Sequence, residues 1–145
     1  MTLGVGSAYG YAMTTALHAD AEIASQPQIW RQVADFAPSV FGKLPQKGER
    51  VAVVGCGSSW FMSMAYASLR EAAGHGETDA YAGSEFNYSR KYDRVVSISR
   101  SGTTSEIVEL LGKIKTPSVV LTAIHNSPVE DRASEIGRAS CRERV

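Results

Sequence analysis

The strongest constraint on the fold is the run Val51-Ala52-Val53-Val54 together with the glycine-serine loop behind it. Four consecutive apolar residues, three of them β-branched, leave no solvent-facing alternation. That is the pattern of a strand buried on both faces of a parallel sheet. The run stops at Gly55-Cys56-Gly57-Ser58-Ser59. Trp60–Ala73 then carries Ala65, Ala67, Leu69, Ala72 and Ala73 ahead of Gly74, which predicts a helix with a glycine stop. The same grammar recurs downstream. Arg94–Ser99, with Val95, Val96 and Ile98, predicts a strand, and Ser101-Gly102-Thr103-Thr104 comes next. A helix is predicted from Ser105 to Ile114, a strand over Ser118–Ile124 after Pro117, and a last helix over Pro128–Glu135. Thr78–Ala82 is a weaker strand, and Ser84 opens a short helix to Tyr88. Strand, hydroxyl-rich loop and helix in repetition predict an α/β chain: a three-layer, doubly wound parallel sheet with right-handed crossovers.

Upstream, Leu17–Phe41 carries apolar residues at Ile23, Ile29, Trp30, Val33, Phe36, Val40 and Phe41. This predicts helix interrupted near Gln26-Pro27, with Pro27 in the first turn of a second helix and Ser25 as its cap. Residues 1–20 form a poorly defined N-terminal segment, and Met13 is an alternative start. Residues 21–135 form the domain. Residues 136–145, IGRASCRERV, back-translate without a break to what resembles a sequencing-library adapter, and are expected to be a read-through tail.

Composition removes several classes of function. The chain has 145 residues, 43% hydrophobic and 21% charged, with a formal net charge of zero. One ordinary globular domain fits those values. A neutral chain without a Lys/Arg block lacks the electrostatic footprint of a nucleic-acid or anionic-membrane binder. No run approaches the roughly 20 apolar residues of a spanning helix. Two cysteines, Cys56 and Cys141, make neither a disulfide framework nor a metal set, and His18, His75 and His125 are scattered. A cytoplasmic protein with a small-molecule partner, no metal and no cofactor is expected.

Ligands of open α/β sheets sit beyond the carboxyl ends of the strands. Two hydroxyl-rich loops lie there. Gly55 and Gly57 permit a tight turn, and Ser58 and Ser59 open a helix whose free N–H groups and dipole favour an anion. Ser99–Thr104 repeats that arrangement. Either loop alone is explained by helix capping; the pair points to one phosphate held by many neutral donors. Dinucleotide binding is disfavoured, because Phe61 breaks the third glycine position of G-x-G-x-x-G, and Glu77 and Asp79 fall before or early in the next strand. No Gly-Lys-Ser/Thr succeeds the first strand, so a P-loop is absent. Cys56, between two glycines, reads as a packing residue.

Three motifs, CGSSWFMSMAYA (Cys56–Ala67), GSEF (Gly83–Phe86) and ISRSGTTSE (Ile98–Glu106), with AEIASQP (Ala21–Pro27) ahead of them, resemble the sugar isomerase (SIS) domains. The likeness is to the isomerase half of glutamine–fructose-6-phosphate aminotransferase and to smaller stand-alone amino-sugar and deglycase relatives. It implies a flavodoxin-like, nucleotide-binding-like topology and a hexose or amino-sugar phosphate as ligand, with a homodimer for the full-length protein. By resemblance Ser58, Ser59, Ser99, Ser101 and Thr104 hold the phosphate. Arg100, where the aminotransferase usually has Gln, adds a fork that can pair with it. Gly57, Gly102 and Thr103 supply supporting backbone, and Glu85 is expected to order the cradle by accepting backbone N–H groups. The family's catalytic Glu lies in a second SIS repeat not found in this sequence. No catalytic residue is therefore expected within the chain, and its parent is expected to be an isomerase, aminotransferase or deglycase. The alternatives are a phosphosugar-sensing module without catalysis and a nucleotide-binding α/β domain.

Overall fold

The computed structural model describes the backbone of residues 8–138 and the side chains of residues 20–134. The chain divides into two units between Phe36 and Ala37. The first is built on helix α1, Ala8–Val40. Contrary to expectation, α1 runs through Pro27 unbroken. Ser25 caps nothing: its Oγ donates back to the Glu22 carbonyl at 2.8 Å. A serine bonded back in this way stays compatible with a continuing helix.

The second unit is a parallel sheet of β1 (Val51–Gly55), β2 (Thr78–Ala82), β3 (Arg94–Ile98), β4 (Ser118–Thr122) and β5 (Glu135–Arg138), in the order β2-β1-β3-β4-β5. Helix α2 (Ser58–Ala72) connects β1 to β2, and α3 (Ser105–Lys113) connects β3 to β4. The first connection moves to one side of the sheet and the second to the other. Right-handed crossovers therefore place the two helices on opposite faces. Side-chain packing obeys that division. Ala52, Val54, Val95 and Val120 pack with Ile107, Leu110 and Leu111 of α3. Val51, Val53 and Val96 pack with Tyr66 of α2. The outcome is the expected three-layer α/β/α architecture, and β1 is wholly buried along its length because both faces are covered.

The last predicted helix is replaced. Pro128–Glu135 forms only a 3-10 turn, Glu130–Arg132, and then enters β5. Ser134 is the cause. Its Oγ accepts the Ser118 N–H at 2.5 Å and donates to the Ser118 carbonyl at 3.0 Å, while its own N–H goes to Ser118 Oγ at 3.2 Å. The chain is clipped to the start of β4 and leaves extended along its edge, with Val119 opposite Glu135. The backbone of residues 136–138 thus continues the sheet beyond the boundary that composition suggests. The short helix expected at Ser84–Tyr88 is likewise a 3-10 turn, Gly83–Glu85.

Beside β2 a polar network fastens the edge of the sheet. Tyr92 Oη donates to Asp79 at 2.7 Å and shares a 2.7 Å hydrogen bond with Tyr81 Oη. Arg90 pairs with Asp79 at 3.1 Å. The guanidinium groups of Arg50 and Arg90 lie 5.5 and 5.9 Å from the Tyr92 ring centre. Burial first, and then the bonds to Tyr81 and Asp79, hold the Tyr92 phenol far above its ordinary pKa of 10.0. Removing its hydroxyl leaves Asp79 and Tyr81 short of a partner. Tyr92→Phe is expected to lower the free energy of unfolding by about 1–3 kcal/mol in a denaturant titration. A raised phenol pKa stabilises the fold fully below pH 10.0 and progressively less above it. The wild type should therefore lose stability above pH 10.0 more steeply than Tyr92→Phe; parallel curves contradict this account.

Candidate functional site

The site begins with a close approach. At the end of β1, a Cβ added to Gly55 would overlap the carbonyl of Ser59 and lie 2.9 Å from Trp60 N. Only glycine lets α2 start this near the strand. Gly57, at φ 56° and ψ −127°, then turns the chain in a conformation closed to other residues. Ser59 N–H is used within this turn, bonding the Cys56 carbonyl at 3.1 Å, as Trp60 N–H bonds Gly57 at 3.0 Å. The set of free amides is narrower than the sequence suggests. Among the described residues the Gly57 and Ser58 N–H groups and the Ser58 and Ser59 hydroxyls have no protein partner.

The second loop lies alongside, because β1 and β3 are paired with Gly55 opposite Ile98. Ser99 is 2% exposed, and its Oγ is 3.2 Å from Thr104 Oγ1. Ser101 Oγ accepts from Thr103 N–H at 3.3 Å and from Thr103 Oγ1 at 3.1 Å. Gly102 turns at φ +67°. Thr104 occupies the N-cap of α3, yet its hydroxyl is turned to Ser99 and caps nothing; α2 has no side-chain cap either. The capping explanation for these hydroxyls therefore fails at both helices. Ser105 and Glu106 N–H, in the first turn of α3, lack protein acceptors among the described residues.

A third motif joins the two loops. A Cβ on Gly83 would stand 2.9 Å from Cys56 Sγ, 3.1 Å from Ile107 Cδ1 and 3.3 Å from Glu106 Cβ. The Gly83–Glu85 turn is thus wedged between the β1 loop and the start of α3. Arg100 is exposed and has no carboxylate partner among the described residues. Glu85 corrects the sequence reading. It is exposed and accepts no hydrogen bond, because the turn it ends points its carboxylate to solvent rather than toward the loops. Glu106 is exposed and accepts from Ser105 Oγ at 3.2 Å. Among the described residues no group of His, Cys, Asp and Glu is arranged to hold a metal ion. No helix there is long and apolar enough to cross a membrane.

Sequence reasoning missed the brace behind the second loop. Val129 N–H bonds the Gly102 carbonyl at 3.1 Å, and Ala123 N–H bonds that of Arg100 at 3.3 Å. Ser127, 2% exposed, packs against Gly102 Cα where any Cβ would collide with it. The only local signals were Asn126, which turns at φ 53°, and Pro128.

No protein-family model and no curated protein sequence matches the chain. Solved structures do. A protein of E. coli CFT073, in complex with a phosphosugar, aligns with a TM-score of 0.69 at 22% identity, over 87% of this chain and 73% of its own. The C-terminal domain of glucosamine-fructose-6-phosphate aminotransferase from Francisella tularensis aligns with 0.67 at 22%, over 83% of this chain and 38% of its own. The fold is that of the SIS-domain proteins. The Vibrio vulnificus NanR protein complexed with ManNAc-6P shares it, with a TM-score of 0.58 at 21% identity over 90% of this chain and 56% of its own. The chain spans well under two thirds of the latter two structures. Within this SIS fold the two loops flank the β1/β3 pair, the point at which the strand order reverses and ligands of the flavodoxin-like order bind.

The brace makes a prediction about Gly102. Gly102→Ala combines a positive φ with a collision, and should lower stability by about 1–3 kcal/mol. Adding Ser127→Gly removes the collision but not the strain. The double variant should recover at least about 0.5 kcal/mol relative to additivity in a denaturant-unfolding cycle. Strict additivity would show that the two residues do not press on each other.

Proposed function

We propose that this chain is a sugar-phosphate-binding SIS domain that holds the phosphate of a hexose or amino-sugar phosphate between Gly57–Ser59 and Ser99–Thr104. The observation that carries this reading is the uncapped state of both helices. Ser58 and Ser59 hydroxyls and the first-turn amides of α3 stand side by side with no protein acceptor. Ser99, Ser101 and Thr104 are pre-bonded to their loop neighbours and presented beside them. A dianionic phosphate satisfies such donors at two helix N-termini at once. Arg100, unpaired at the rim, adds a fork suited to phosphate oxygens. The phosphosugar complexes of similarly folded proteins, that with ManNAc-6P among them, support a phosphosugar as the ligand class. In the full-length protein we place the domain in the cytoplasm as a homodimer. The exposed apolar side of α2, with Phe61 59%, Met62 56% and Leu69 72% exposed, supports a partner surface.

The parent chemistry on this reading is proton transfer next to a carbonyl or imine, in an isomerase, aminotransferase or deglycase. A base for that step must lie within hydrogen-bond reach of the reacting carbon's proton. The carboxylates nearest the cradle, Glu85 and Glu106, are both exposed to solvent. They do not form the dry, positioned base such a step needs, so the chain itself binds without turnover. The similarity in fold to a NanR protein complexed with ManNAc-6P supports a second reading, a sensor that uses the same cradle.

Calorimetry with fructose 6-phosphate and glucosamine 6-phosphate tests the cradle. Ser59→Ala and Ser101→Ala each remove a hydroxyl from a charged acceptor and should each weaken binding by roughly 1.5–3 kcal/mol. Unchanged affinity in both variants sinks the assignment. In an isomerisation assay with the same two sugars the 145-residue chain should show no turnover. Turnover abolished by Glu85→Gln or Glu106→Gln places a working base inside this chain instead.

A further inference from the structure

Next to the cradle, on the α3 face of the sheet, an open groove of about 630 Å³ runs between α3 and the Pro128–Arg132 segment. Its upper end is lined by Thr103 and Ser105, which belong to the phosphate loop and the first turn of α3. Its lower end is lined by Gly112, Lys113 and Arg132. Seven residues of helix separate Ser105 from Gly112, roughly 10 Å. We propose that this groove is a subsite for a carboxylate carried at the end of a phosphosugar remote from its phosphate. The inference rests on the cradle's reading as a phosphate site.

Charge at the lower end supports an anion. Lys113 Nζ is 2.6 Å from Glu109 Oε1, so those two charges largely cancel. Arg132 is exposed and has no carboxylate partner among the described residues, which leaves one uncompensated guanidinium. A Cβ on Gly112 would lie 3.6 Å from Arg132 Nη1, so the guanidinium stands beside bare helix backbone. Planar guanidinium and carboxylate match as a two-point pair. Lysine at the same place would offer only a point charge. Between the ends, Val108 and Pro128 supply apolar wall for a carbon chain, while Gly112 contributes no side chain to obstruct it. A six-carbon sugar acid phosphorylated at the far end has the reach to place its phosphate at the loop and its carboxylate at Arg132. A neutral aldose phosphate has nothing to offer that guanidinium.

Glucose 6-phosphate and 6-phosphogluconate are alike at the phosphate end and differ at C1, where only the second carries a carboxylate. Calorimetry on the full chain should give 6-phosphogluconate the tighter binding by about tenfold or more, as for one charge-assisted pair. Arg132→Gln should collapse the ratio between the two ligands to near one. Ser101→Ala should weaken both and leave their ratio standing. Equal affinities in the wild type overturn the subsite and leave the cradle intact. A preference that survives Arg132→Gln also overturns it, by placing the carboxylate elsewhere. Failure of both ligands to bind overturns the cradle reading, and the subsite with it.

Discussion

The pairing of β1 with β3 governs the rest of this structure. These neighbours in space are not neighbours in sequence, and their connections leave in opposite directions. Right-handedness of each crossover then puts α2 on one face and α3 on the other. A gap opens between the two departing chains at the carboxyl end of the pair. Both hydroxyl loops border it because Gly55 and Ile98, the last residues of their strands, stand opposite each other in register. Without that pairing the loops would be two unrelated helix starts. With it they become two walls of one site, and the Gly83 turn closes the side between them.

Close approach makes the walls stiff. Gly55 lets the backbone of Ser59 touch the strand end, and Gly102 lets Ser127 press from behind. Each glycine replaces side-chain volume with direct backbone contact, which fixes a loop as no flexible side chain can. The hydroxyls of the β3 loop are engaged with one another, Ser99 with Thr104 and Thr103 with Ser101. They are therefore oriented before a ligand arrives. Preorganised donors of this kind give up little conformational freedom on binding.

Much of this was legible in the sequence, for a physical reason. Strands buried on both faces must be apolar throughout, so Val51–Val54 and Val95–Val96 announce themselves. A helix over one face must repeat at three and four, as Ile107, Leu110 and Leu111 do. What local pattern could not show is pairing at a distance. The Ser118–Ser134 clip spans sixteen residues and turns an apparent helix into an extended edge strand. The brace of Ser127 and Val129 on Gly102 spans more than twenty positions and leaves no periodic mark. Pro27 misled in the opposite direction. Its missing N–H suggested a boundary, but the flanking turns carry the helix through. Glu85 misled because its type, not its surroundings, suggested a role; a carboxylate orders a loop only when donors face it.

Burial across the site divides the labour among its residues. Ser99 is enclosed, Ser59 and Thr104 are half-buried, and Ser58, Arg100 and Ser101 are exposed. The inner hydroxyls sit where the dielectric is low, so an unmade bond there is costly and their mutual pairing is strongly specified. They set the shape of the cradle. The outer groups remain in water until a ligand displaces it, and their bonds to phosphate replace bonds they already had. Net affinity must then come from making many such exchanges at once, at donors already held in place. A site built in this way favours a compact, multiply accepting anion over a single carbonyl or hydroxyl. Only a phosphate-like group presents enough acceptor oxygens to engage both loops together.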